Sequence, residues 1–402
     1  MHLTHLSLTN FRIFSRLELD FPKRVILFHG SNAQGKTTVL EAVAFLALFT
    51  SFSASSDRQM INFNLPESDP VRVGRIVADF QRGNKKQHLE TRLILEQNGG
   101  DGNLRLRKEA LLNGVSRRFS ELYGQFNAVS FLPQMSKIIE GGPSERRRYL
   151  DEVLCQVEPG YSRHLIRYNQ AATRRNALLK QLAEYGGNPN QLEPWDVMLS
   201  EHGAFLIAGR IKLINQLETL AQQSHHNLTG GKEVFRIDYQ PAFDPFVAEN
   251  GQLGLPVHNL ADRSPIELPE IQKSFQTGLE KRHRYDIQRG STSIGPHRDE
   301  MRLLTNQVDL SNYGSRGQTR TALLSLKFAE VHLMHARTGE WPVLLLDEVM
   351  AELDPLRRHA LMSLLDTVEQ AFVTTTDLDM FDPDFLGNHE IWKVHQGIVS
   401  EA

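Results

Sequence analysis

The ten residues HGSNAQGKTT (29–38) constrain this chain more than any other stretch. Gly30, Gly35, Lys36 and Thr37 fit G-x-x-x-x-G-K-[ST]. RVILF before them reads as a buried strand, and VLEAVAFLALF after them as an apolar helix. A glycine-rich turn between strand and helix aims several backbone N–H groups at one point, where the helix dipole adds positive potential. The run Gly30, Ser31, Asn32, Ala33, Gln34, Gly35, Lys36, Thr37, Thr38 is therefore expected to cradle a nucleotide's phosphates. Lys36 would reach the β- and γ-phosphates, and the Thr37 hydroxyl would meet Mg²⁺.

No strand carrying the partner carboxylates follows closely. They stand near the far end, in PVLLLDEVMAELD (342–354). Four apolar residues make a buried strand, and Asp347 at its end can hold Mg²⁺ through water. Glu348, next in line, can orient and deprotonate an attacking water. The plain alternative is a strand that ends in two acids before a turn.

Upstream, YGSRGQTRTALLSLKFAEVHLMHA (313–336) opens a long helix with Leu323, Leu326 and Val331 as apolar anchors. Ser315 and Gln318 spell S-x-x-Q, a capping box that satisfies orphan N–H groups. The same Ser315, with Gly317 at a helix N-terminus, could instead grip a γ-phosphate.

Between these ends the texture changes. Residues 2–8, 16–21, 71–80 and 89–96 read as strands, with NGGDGN (98–103) as a turn before LRLRKEALLNG. From Pro143 the spacing turns helical, interrupted at 186–194 by a Gly/Pro/Asn-rich hairpin tip. Residues 229–268 hold one strand (VFRIDYQ) and a loop, and a further helix is expected around 269–288.

Charge and cysteine exclude several classes. The chain of 402 residues has a formal charge of −3, so no global nucleic-acid signature exists. Cys155 stands alone, which rules out an internal disulfide and fits a reducing compartment. The N-terminus has no secretory pattern, and no apolar stretch is long enough to span a membrane, so a cytoplasmic protein is expected. Between Gly160 and Ala183 there is no acid, while Arg163, Arg167, Arg174, Arg175 and Lys180 all fall there. Residues 280–289, EKRHRYDIQR, are basic as well. Either segment could follow a DNA backbone or form an ordinary solvated helix face.

A P-loop at one end, with S-x-G-Q, Walker B and the D-loop aspartate Asp354 at the other, is the ABC-type order. The chain resembles the RecF family of bacterial recombination-mediator ATPases. The matching stretches are NFRIF (10–14), GSNAQGKTTVLEA (30–42), GGPSERRRYLD (141–151), TSIGPHRDE (292–300), YGSRGQTR (313–320) and LLLDEVMAELD (344–354). The resemblance implies an α/β fold: an ABC-type head of mixed β-sheet and helices (1–130 and 290–402) with an inserted, mainly helical arm (131–289). It also implies an ATP- and Mg²⁺-dependent DNA clamp that closes head to tail as a homodimer. Each ATP would lie between Lys36, Thr37, Asp347 and Glu348 of one copy and Ser315, Gly317 and Gln318 of the other, with Asp354 nearby. RecF-like proteins act at gapped DNA with RecR and RecO, helping RecA replace single-strand-binding protein, which places such a chain at the nucleoid. Four features depart from the pattern or stay open. Thr375 or Thr376 stands for the ABC switch histidine, and Gln134 for a more usual acid. His297, Arg298 and Asp299 could meet phosphate or could form a turn with an Arg–Asp pair; Arg12 could meet nucleotide or cap strand packing. A transporter subunit, a nuclease fusion, another Rad50-like ATPase and a DNA-binding module with a largely non-hydrolysing site are the rival readings.

Overall fold

A computed structural model of the chain describes all residues except 23, 67, 98–103, 246–266 and 402, and the Gln97 side chain. The turn expected at 98–103 and most of the loop expected within 229–268 lie outside the described residues. The chain divides into two compact units, residues 1–135 with 330–402, and residues 136–329.

The first unit holds two six-stranded sheets. One is parallel at its heart: Glu390–His395, Val25–His29, Ala371–Thr375, Val343–Asp347 and Ala128–Phe131 lie side by side, with Ile398–Glu401 antiparallel at the edge. Its three central strands are almost wholly buried because both faces are covered, with their polar residues gathered at the C-terminal ends. The other sheet is wholly antiparallel, in the order Phe14–Asp20, His2–Phe11, Val71–Arg82, Lys85–Gln97, Leu104–Leu112, Val115–Ser116. The helix Lys36–Leu48 is buried nearly all round, and its side chains share one core with both sheets. That explains why its sequence shows no polar face.

The second unit is mainly helical. Tyr161–Tyr185 and Glu193–Thr229 pack along each other, and Leu268–Lys281 packs on the latter. A small antiparallel sheet pairs Phe235–Gln240 with Glu300–Thr305, which also pairs with Val308–Asp309.

That pairing shifts the expected boundary. Residues 290–329 belong with the helical unit, not the head, because Glu300–Thr305 is hydrogen-bonded across its whole length to a strand of the arm. The helix Arg316–Thr338 then runs through the 329/330 boundary.

Candidate nucleotide site and arm surface

The loop after Val25–His29 turns where side chains cannot fit. At Gly30 a Cβ would sit 2.3 Å from the Val394 carbonyl oxygen, and at Gly35, with φ 110°, it would meet Ile13 Cδ1 at 2.7 Å. Ala33 adopts left-handed backbone as well, at φ 62°. The loop is held from outside: Gln34 Oε1 accepts from Gln396 N (2.5 Å), and Gly30 N donates to Thr375 O. It bounds a cleft of about 250 Å³ lined by residues 32–38, Ile13 and Glu348.

Lys36 is almost fully buried. Its Nζ donates to the carbonyls of Gly30 (2.6 Å) and Ser31 (3.1 Å) and stands 3.1 Å from Glu348 Oε1, out of hydrogen-bond alignment. Thr37 Oγ1 donates to Asp347 Oδ1 at 2.8 Å. A hydroxyl and a carboxylate this close form the hard oxygen set that Mg²⁺ prefers. Glu348 has φ 53°, ψ 15°, a left-handed conformation that costs a non-glycine residue about 1 kcal/mol. The twist brings its carboxylate into the cleft rather than along the strand, so the strain falls on the residue that would meet the water.

Thr374 completes this corner, and sequence reasoning missed it. It pairs in register with Asp347, donates from Oγ1 to Asp347 Oδ1 (2.8 Å) and accepts from Glu348 N (3.1 Å). One hydroxyl thereby steadies both carboxylate residues. Thr375 instead donates its hydroxyl to Asp377 O (2.7 Å). The signal lay in sheet register, which the run TTT conceals.

Arg12 does not line this cleft. Its guanidinium makes a two-pronged bond to the buried Glu41 (2.8 Å each), and Ser51 and Ser53 hydroxyls donate to the same carboxylate. Glu41 is thus satisfied inside the P-loop helix, and the Arg12 turn is tied to it.

The signature turn lies in the second unit. Ser315 N donates to Gln318 Oε1 and Gln318 N to Ser315 Oγ, both at 3.2 Å, so the capping box forms as its residues suggest. Ser315, Arg316 and Gly317 are nonetheless exposed, with the helix N-terminus facing outward. Leu323, Leu326 and Val331 are buried behind it. Asp354 caps the helix Pro355–Thr367 by accepting from Arg357 N at 3.0 Å.

The model of the RecF/RecN/SMC N-terminal domain family matches residues 2–398. A DNA replication and repair protein RecF of Herpetosiphon aurantiacus is 35% identical over all of both chains. The chain belongs to the RecF family. A solved structure described as the recombination mediator protein RecF with ATPrS, in the RecFOR pathway, is similar at 30% identity. It has a TM-score of 0.81, covering 100% of this chain and 98% of that one. The Smc head domain of Pyrococcus furiosus, at 15% identity and TM-score 0.51 over 100% and 96%, shares the fold. These likenesses agree with an ABC-type head carrying a helical insertion.

The stretches that carried the RecF resemblance divide by role. In GPHRD the histidine and aspartate are structural. Asp299 is buried and accepts from Arg210 Nη1 (2.9 Å), Tyr239 Oη (2.5 Å) and Ala242 N (3.0 Å). Its partner is therefore Arg210 rather than Arg298, which is exposed. His297 Nδ1 lies 2.6 Å from Tyr168 Oη and its Nε2 3.2 Å from Thr292 O, and burial holds its pKa down at about 4. Gln134 is exposed in the short turn Pro133–Ser136.

Of the five basic residues expected to face DNA, Arg163, Arg167, Arg174 and Lys180 are exposed. Arg175 is not, and that expectation is corrected. It is fully buried, with Nε donating to Asp196 Oδ1 and Nη1 to Asp286 Oδ2, both at 2.7 Å, and Nη1 to Thr292 Oγ1 at 2.9 Å. No phosphate reaches a guanidinium already enclosed by two buried carboxylates.

Proposed function

We propose that this chain is an ATP-dependent DNA-binding clamp for recombinational repair and replication-fork maintenance. Two copies would close head to tail over two ATP molecules on gapped duplex, and hydrolysis would release them. The observation that carries this reading is the cleft in which Lys36, Glu348 and the Thr37–Asp347 pair meet around one P-loop.

The chemistry follows from those contacts. Backbone N–H groups of residues 32–38 and the helix dipole bind the phosphates. The phosphates offer Lys36 a stronger partner than two carbonyls and a misaligned carboxylate, so Nζ moves to them. Glu348 is then left to accept a proton from the attacking water. Thr37 and Asp347 would hold Mg²⁺, which supplies charge neutralisation at the phosphate oxygens. Ser315 and Gly317 of the second copy present an exposed helix N-terminus to the γ-phosphate. The reaction is thereby gated by dimer closure.

The exposed Arg163, Arg167 and Arg174 lie within one stripe of their helix and would neutralise duplex phosphates. Further partners would be RecR and RecO, and through them RecA and single-strand-binding protein, at the nucleoid in the cytoplasm. Among the described residues no helix is long and apolar enough to cross a membrane.

Hydrolysis measured with and without gapped duplex, beside sedimentation in ATP, tests this. Glu348→Gln should bind ATP, hydrolyse it about 10²–10⁴-fold more slowly and remain dimeric. Lys36→Met should stay monomeric. ATP-independent dimers in both variants would overturn the clamp.

A further inference from the structure

The long arm helix Glu193–Thr229 ends on Gly230 and Gly231, both with left-handed φ (61° and 75°), and Gly231 N donates to His226 O. A Cβ on Gly231 would press on His226 Cε1 at 2.8 Å. The turn sends the chain back toward the strand Phe235–Gln240 and places Glu233 between two helices. Its Oε1 accepts from Gln318 Nε2 at 3.1 Å, and its Oε2 lies 3.2 Å from His225 Nε2. One carboxylate thus touches the signature turn with one oxygen and the arm helix with the other.

The donor inventory fixes how this works. Ser325 donates its hydroxyl to Thr321 O (2.7 Å), so Ser325 Oγ accepts from Nδ1–H of the buried His225 (3.1 Å). His225 Nε2 then faces Glu233 Oε2 at 3.2 Å, within hydrogen-bond reach. At the other end, the Gln318 amide has two faces. With its N–H₂ toward Glu233, its oxygen accepts from Ser315 N. Flipped, it would set oxygen against carboxylate and N–H₂ against the Ser315 N–H. Glu233 permits only the first orientation.

We propose that Glu233 is a positioning residue that holds the signature serine through Gln318 and ties it to the last turns of the arm helix. This rests on the shared-site reading above. Movement of the arm helix that disturbs His225 would then reach Ser315 through three hydrogen bonds, by way of Glu233 and Gln318.

Hybrid dimers give the test, because a signature residue and a merely stabilising one behave differently in them. In a hybrid of Lys36→Met and Ser315→Arg chains, the single whole site takes its signature from the Lys36→Met chain. Adding Glu233→Ala to that chain should lower hydrolysis about tenfold, the usual worth of a charge-assisted hydrogen bond. Adding it to the Ser315→Arg chain should leave the hybrid at its parental rate. Glu233→Gln, which keeps an acceptor for Gln318 and a group for His225, should restore the signature chain to within about threefold. Equal losses in both placements overturn the positioning role. An inactive parental hybrid overturns the shared site instead, and amide exchange in the free chain then decides the point. Glu233→Ala should speed exchange of Ser315 N–H while Glu233→Gln should not; unchanged exchange overturns the proposal.

Discussion

Arg174 and Arg175 are neighbours in sequence with opposite roles, and replacing each by alanine separates stability from DNA binding. Arg175→Ala leaves Asp196 and Asp286 facing each other inside the arm, both fully buried and both deprived of a partner at 2.7 Å. His283, 2.5 Å from Asp196, can answer only one of them. Breaking a buried ion pair from one side costs about 3–5 kcal/mol. In a unit of this size each kcal/mol is worth about 2–4 °C, so the melting temperature of the arm should fall by about 6–20 °C. Arg174 is exposed, its guanidinium 5.7 Å from the Trp195 ring centre. Its removal should cost about 1 kcal/mol or less. It should flatten the log–log salt slope of duplex binding by about 0.9, the value of one phosphate contact. Circular dichroism melts and duplex titrations at several salt concentrations read both. An Arg175→Ala protein with wild-type melting and a flatter slope would refute the buried cluster. An unchanged slope in Arg174→Ala would return that helix face to plain solvated surface.

Two further outcomes follow from the geometry. Gly30→Ala should abolish ATP binding, since its methyl would enter the Val394 carbonyl; wild-type affinity in a filter or fluorescence titration would contradict the loop's path. His297 is held neutral in the fold, with a pKa of about 4 against about 6.5 when unfolded, so the unfolded chain binds the extra proton between those values. Stability should therefore fall as pH drops from about 6.5 toward about 4, by about 3 kcal/mol from this residue alone. His164, His202, His332 and His389, also lowered by burial, push the same way. Denaturant melts of His297→Gln should show a shallower pH gradient; an unchanged gradient would clear His297 of the effect.

The nucleotide half of the account was legible because phosphate chemistry keeps its residues contiguous. Gly30 to Thr38 and Asp347–Glu348 each occupy a single turn or strand end, so residue type and spacing carry the geometry. The S-x-x-Q box likewise closes within four residues. What failed to show was contact between distant positions. The acid-free run 160–183 suggested five free cations, but the acids that enclose Arg175 come from positions 196 and 286. A clue was present: Tyr168, Ala172, Arg175, Leu179 and Leu182 fall at alternating spacings of four and three, the buried stripe of their helix. Thr374 was missed because only register pairs it with Asp347. The domain boundary moved for the same reason, since the pairing of Glu300–Thr305 with Phe235–Gln240 leaves no local mark.

The shared active site is the central claim, and hydrolysis by mixed variants tests it most directly. Lys36→Met removes the phosphate lysine from every site of its homodimer, and Ser315→Arg fills every signature with a bulky cation. Neither homodimer should turn over. When a one-to-one mixture is cross-linked so that pairing is random, half of the dimers are hybrids, and each hybrid holds one whole site, its P-loop from one copy and its signature from the other. Recovery should approach roughly a quarter of wild-type hydrolysis when the sites act independently. A cross-linked hybrid that binds ATP and dimerises, yet hydrolyses no faster than its parents, would contradict the claim and confine Ser315 to its capping box.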